Sequence, residues 1–148
     1  MDLLKLENQL CFPVYALSRQ ITALYRPLLE TLDLTYPQYL VMLLLWENSS
    51  VPIKHLGERL LLDTGTLTPL LKRMQQKGLI NRRRSEIDER VVTISLTAAG
   101  VAMQEAAVRI PNELLCEMGA STDLVVRLRT DVNSLLHFIQ NKPENYGN

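Results

Sequence analysis

Cysteine is scarce in this chain, with only Cys11 and Cys116 among 148 residues. Two thiols so far apart exclude a disulfide scaffold and leave a choice between plain packing and a redox device. Net charge is absent too, since sixteen basic residues offset sixteen acidic ones. Any attraction to a charged partner must therefore come from local patterning. No apolar run is long enough to cross a bilayer. The opening Met-Asp-Leu-Leu-Lys-Leu lacks the basic region and apolar core of a signal peptide, so a cytoplasmic home is expected. Histidine is limited to His55 and His137, which lie far apart without acids at metal-ligand spacing. There is no glycine-rich phosphate loop and no defensible set of nucleophile, base and orienting acid. No metal, no cofactor and no enzymatic activity are expected.

What is present is a long hydrophobic inventory, 47% of the chain, enough to fill one core and leave apolar surface for a partner. Charge is unevenly spread. From Lys54 to Arg90 nine basic residues meet five acidic ones, and the rest of the chain carries the compensating negative excess. A basic centre between acidic ends suits a DNA reader whose ends do something else.

Apolar positions Val14, Leu17, Ile21, Leu24, Tyr25 and Leu28 recur at helical spacing and predict a helix over 13–32, with Pro27 ending or kinking it. Thr35 caps a second, very apolar helix reaching Trp46. A short strand at 51–53 and a third helix at 54–61 follow. Thr66 to Lys77 reads as a fourth helix with Gly78 in the stop position. Pro69 fits it only if helical hydrogen bonding starts near Thr64 to Thr66; otherwise it bends the helix. Strands at 79–83 and 91–96 form a hairpin with a charged tip. A fifth helix runs from Thr97 to about Ile110, where Pro111 interrupts it, and a short helix covers 112–119. A last amphipathic helix spans 121–139, and a frayed tail begins at Asn141. The fold class is mostly α: a winged helix-turn-helix with a small β-wing, and terminal helices forming a dimerisation region. The division expected is 1–34 for dimerisation and sensing, 35–100 for the DNA-binding lobe, and 101–148 for the C-terminal dimerisation helices. Leu114, Leu115, Leu124, Val125, Leu128, Leu135 and Phe138 are the residues expected to need a partner.

A recognition helix needs small polar groups in its first turns and cations further along. Thr64, Gly65, Thr66, Thr68, Lys72 and Arg73 supply them, while Leu67, Leu70, Leu71 and Met74 form the buried stripe. At the wing, Arg90 is the cation expected to enter a minor groove with Asp88 bracing it, and Arg82, Arg83 and Arg84 are expected on backbone phosphates. Singly, each feature is also what an ordinary solvated surface shows; their order along the chain points to duplex DNA.

The same residues carry a family resemblance. The run from Thr64 to Met74, then Gly78-Leu79-Ile80, Arg82, Asp88-Glu89-Arg90 and Leu96-Thr97-Ala98-Ala99-Gly100, resembles the MarR family of transcription regulators. Leu6 to Phe12, Tyr15-Ala16, Tyr25-Arg26-Pro27-Leu28 and Thr35 to Tyr39 are similar to its organic-hydroperoxide resistance branch. The resemblance implies a homodimeric repressor that releases a DNA operator when a reactive cysteine is oxidised by an organic hydroperoxide. With Cys116 present, it implies the two-cysteine subtype, in which the oxidised Cys11 is resolved by Cys116 of the partner subunit.

On its own terms Cys11 lies where the first helix begins, a position that favours a thiolate. Peroxide then gives a sulfenic acid that a second thiol traps as a disulfide. Tyr15, one turn on, is a near neighbour. Tyr25 is fourteen residues away, roughly 20 Å along a straight helix. If it donates to the thiolate, it does so from another subunit, and the resemblance implies that arrangement with Tyr36 as second donor. Leu10, Phe12 and Trp46 are expected as apolar walls for the oxidant. Two other readings stay open. One is a regulator of the same fold gated by a phenolic or carboxylate ligand, with inert thiols. The other is a small thiol peroxidase, for which no Arg or Thr partner stands near Cys11.

Overall fold

The computed structural model describes residues 2–142. After a single 3-10 turn at Leu6–Asn8, the elements run α1 (Cys11–Glu30), α2 (Tyr36–Asn48), β1 (Ser50–Pro52), α3 (Ile53–Leu60), α4 (Thr64–Gln76), β2 (Ile80–Arg84), β3 (Val92–Leu96), α5 (Ala98–Ala107), α6 (Ile110–Met118) and α7 (Thr122–Gln140). Every expected element is present, with ends shifted by a few residues. The tail expected from Asn141 lies, beyond residue 142, outside the described residues.

Side-chain caps set most helix starts. At α2, Gln38 N–H donates to Thr35 Oγ1 at 3.4 Å and Thr35 N–H donates to Gln38 Oε1 at 3.0 Å, a reciprocal box that satisfies two orphan donors. Asp63, Thr97 and Ser121 cap α4, α5 and α7 in the simpler way. Asp63 moves the start of α4 to Thr64, two residues earlier than expected, so Pro69 lies in its second turn and not at its start. Pro111 does not separate helices as expected. It sits in the first turn of α6, where a missing N–H leaves nothing unpaired.

The core lies in the central lobe. Val41, Met42, Leu45, Leu56, Leu67, Leu71, Met74, Ile80 and Ile94 are all closed to solvent, joining α2, α3, α4 and the sheet. The sheet order is β1-β3-β2, all antiparallel, with Ile94 opposite both Val51 and Arg82. The sequence suggests the β2–β3 hairpin; the closure of β1 onto the other edge of β3 joins segments some forty residues apart and leaves no local signal. Gly100 locks α5 on this lobe. A Cβ there would run into the Leu79 carbonyl oxygen, and the Gly100 carbonyl accepts the Trp46 indole N–H at 2.9 Å.

The terminal helices are different. The first half of α1 leaves Phe12, Val14, Tyr15 and Leu17 exposed, and α7 buries none of its side chains. Leu124, Leu128, Leu135 and Phe138, all expected to need a partner, stand in solvent. Leu114 does not belong with them: it is 6% exposed, already packed within its own chain.

Candidate DNA interface and thiol site

The second and third helices of the lobe, α3 and α4, are joined by a tight turn with Leu61 in the left-handed region at φ +54°. Leu67, Leu70, Leu71 and Met74 of α4 face the core, as expected. That leaves Gly65, Thr68, Lys72 and Arg73 on exposed surface. The hydroxyls are less available than the sequence suggests. Thr66 Oγ1 donates to Asp63 Oδ2 at 3.1 Å, and Thr68 Oγ1 donates to the Thr64 carbonyl at 2.9 Å. Each spends its one proton locally, so toward DNA both offer a methyl group and lone pairs. The Thr64 hydroxyl makes no such bond among the described residues. Asp63, held by the Thr66 backbone N–H at 2.8 Å, keeps its carboxyl below the usual carboxylate value, mainly through that bond.

The wing tip is tied by its own side chains. Ser85 Oγ accepts from the Ile87 and Asp88 N–H groups, at 3.2 and 3.3 Å. Asp88 Oδ1 accepts from the Arg90 backbone N–H at 3.0 Å. Asp88 thus braces Arg90 through the main chain and not through its guanidinium, which stays exposed. The three arginines of β2 divide. Strand alternation sends Arg83 to the opposite face from Arg82 and Arg84, and Arg82 is half-buried. Arg82 and Arg90 line a groove of about 1020 Å³ between α3, the start of α4 and the wing, with Pro52, Lys54 and Leu67. Arg83 and Arg84 are exposed on opposite faces of β2, and Arg82 is turned into this groove.

Cys11 is the first residue of α1 and is exposed; Cys116 on α6 is exposed as well, and both are free thiols. Arg109, just before α6, hydrogen-bonds Thr31 just after α1. Seven residues of α6 return about 10 Å along α1, which leaves Cys116 on the order of 15 to 20 Å from Cys11. A disulfide needs Cα atoms within about 7 Å, so one chain in this conformation does not bridge its own thiols.

The phenols gather at the other end of α1. The Tyr25 and Tyr36 rings lie 4.8 Å apart, centre to centre, and Tyr39 adds a third ring 5.8 Å from Tyr25. Burial, with help from the neighbouring phenols, pushes Tyr25 up to about 12. Burial also raises Tyr36 and Tyr39 above the ordinary tyrosine value. All three therefore remain protonated donors at neutral pH. Tyr15 stands apart from them, 62% exposed with the Arg19 guanidinium 5.4 Å from its ring centre. Tyr39 is not among the expected donors; its spacing of three from Tyr36 on one helix is the signal that could have found it. Trp46 is committed to Gly100 and lines a small cavity of about 290 Å³ with Tyr39, Leu43 and Pro111, while Leu10 and Phe12 are exposed at the far end of α1. The three apolar walls are not assembled within one chain.

A helix pair with an exposed second helix, followed by a three-stranded wing with a cationic tip, defines a winged-helix DNA-binding regulator. Comparison with known proteins makes the assignment narrower. Residues 23–106 match the family model described as transcriptional regulator SarA/Rot. The chain is 52% identical over 141 residues to the organic hydroperoxide resistance transcriptional regulator of Bacillus subtilis (strain 168), covering 95% of this chain and 96% of that protein. It is 38% identical to the HTH-type transcriptional regulator SarZ of Staphylococcus aureus (strain USA300), over 93% of this chain and 95% of the relative. Among solved structures, AbfR of Staphylococcus epidermidis superposes with a TM-score of 0.76 at 36% identity, covering 92% of this chain and 95% of that one. AbfR has also been solved in reduced form bound to DNA and in a disulfide form. The chain belongs to the MarR family of transcription regulators, in the organic-hydroperoxide resistance branch.

Proposed function

We propose that this protein is a homodimeric repressor that grips a pseudo-palindromic operator when reduced and releases it when an organic hydroperoxide oxidises Cys11. One observation carries the reading: Cys11 begins α1, while Tyr25, about 20 Å further along it, packs against Tyr36 at the start of α2. The pair can serve a thiolate only from a second copy, and the uncovered apolar faces of α1 and α7 supply a surface on which a second copy would dock. The Cys11 thiolate attacks the terminal peroxide oxygen, the O–O bond breaks, and the alkoxide leaves as an alcohol after taking a proton. Sulfur becomes a sulfenic acid. The partner's Cys116 thiol then displaces water from it to form the disulfide. Each chain is spent once per oxidation until a reductant resets it, which describes a switch and not a catalyst.

A bond between Cys11 on α1 of one chain and the partner's Cys116 on α6 would couple oxidation to the placement of those helices, and with them the lobes. Lowering operator affinity a hundredfold requires about 2.7 kcal/mol, a few phosphate contacts. The test is operator release after stoichiometric cumene hydroperoxide, followed by non-reducing electrophoresis. Wild type is expected to release DNA and give a dimer-sized band; Cys116→Ala is expected to lose the band. A Cys11→Ser protein that still releases DNA would exclude the thiol switch. It would favour the second reading, gating by a small phenolic or carboxylate ligand, for which the groove beside Arg82 and Arg90 offers apolar walls and cations.

A further inference from the structure

The turn between α1 and α2 is tied to two distant helices. Asp33 in that turn has φ +51°, a backbone region that disfavours every residue but glycine and, less strongly, asparagine and aspartate. Its carboxylate pairs with Lys77 Nζ at 2.9 Å, and its carbonyl oxygen accepts a hydrogen bond from the same ammonium. Lys77 is the residue that ends α4. Two positions earlier in the turn, Thr31 Oγ1 accepts from the Arg109 guanidinium at 3.2 Å, and Arg109 opens α6. A cleft of about 450 Å³ separates these parts, and its lining comes from α1, the turn and the start of α2, with Lys77 the one residue from beyond them. The recognition helix, whose inner face shares the core with Leu29 and Leu34, is thus joined at its C-terminal end to the α1–α2 turn across this cleft by one further side chain.

We propose that Lys77 and Asp33 are a positioning pair that sets the angle of α4 against α1, and thereby the half-site spacing a dimer accepts. The proposal rests on the dimeric, operator-binding part of the reading above and not on its redox part. The lever is long. α4 has 13 residues, about 20 Å, and the reading end of a recognition helix is its N-terminal end. Pivoting about the Lys77 end by roughly 5° moves that reading end by roughly 1.7 Å, half of the ~3.4 Å rise per base pair. The pair is poorly placed to hold the fold itself, because the Asp33 side chain is 87% exposed and exposed ion pairs add little stability. A cation at a helix C-terminus also complements the helix dipole. Asp33→Gly separates the two roles: it leaves Lys77 on the dipole, suits the left-handed backbone, and removes only the carboxylate.

The test uses reduced, full-length protein at fixed salt. An operator is selected from a random duplex pool, and versions are made with the half-sites one base pair closer and one further apart. Wild type and Lys77→Arg are expected to prefer the selected spacing. Asp33→Gly and Lys77→Met are expected to lose at least threefold of that preference, while the melting temperature of Asp33→Gly does not fall. Unchanged spacing preference in both variants overturns the proposal, and so does a wild type indifferent to spacing. No peroxide enters the measurement, so failure of wild type to release DNA on oxidation would sink the redox switch and leave this result standing. Binding as a monomer would sink both.

Discussion

Tyr25 carries a phenol whose surroundings keep it neutral well beyond the pH at which a free tyrosine ionises. Burial raises it to about 12, with Tyr36 and Tyr39 adding to the effect. A group whose folded-state pKa is raised stabilises the fold fully below its unfolded value, near 10, and loses that contribution as pH climbs through the folded value. Urea unfolding is therefore expected to show stability level to about pH 10 and falling between about 10 and 12. Tyr25→Phe should flatten that fall, and an unchanged alkaline limb would place the cause elsewhere. The ring group itself was partly legible. Tyr25 and Tyr36 stand out in the sequence through the family resemblance, but nothing in their spacing says that two rings eleven residues apart pack against each other, tilted by 42°, across a turn. Gly100 shows the opposite case: the motif is visible, and only the Leu79 carbonyl, pressed against the place a Cβ would occupy, explains why it must be glycine.

Among the elements, caps and stripes were readable because they are local. Thr35, Thr97 and Ser121 act within three residues of themselves, and the buried positions of α4 follow a 3.6-residue period. What local patterns miss is how polar groups are spent. Thr66 and Thr68 look like donors to DNA, yet their protons are already used, by the cap Asp63 and by the Thr64 carbonyl. In the wing, the self-tied tip engages Arg90 only through its backbone N–H and leaves its guanidinium exposed. Arg90→Ala on each protomer is expected to weaken operator binding and lower the slope of log K against log salt by about 0.9 for each phosphate that Arg90 neutralises. Fluorescence anisotropy across a salt series checks this. Weaker binding with an unchanged slope would mean that Arg90 meets bases or sugar and no phosphate.

For the whole molecule, the decisive fact is that a well-packed lobe is attached to terminal helices with uncovered apolar faces, on the first half of α1 and along α7. Leu128 and Leu135 of α7 are 40% and 41% exposed, a poor resting place for leucine in water. Replacing both by glutamate is expected to leave helix content intact and to reduce the mass in sedimentation to the single-chain 16.9 kDa. Operator affinity should fall with it, because two linked half-site contacts become one. A doubly substituted protein that stays dimeric would move the interface elsewhere.

Sequence alone determined the order of elements, the basic centre, the recognition stripe and the two thiols, because helical period, capping and strand alternation operate over a few residues. Tertiary structure decided what those residues can reach. It closed β1 onto β3, moved Leu114 from the expected interface into the chain's own packing, and set Cys11 a helix length from the phenols. It also tied the end of α4 to Asp33. These are long-range juxtapositions, fixed by which apolar faces must bury one another, and no window of neighbouring residues contains them.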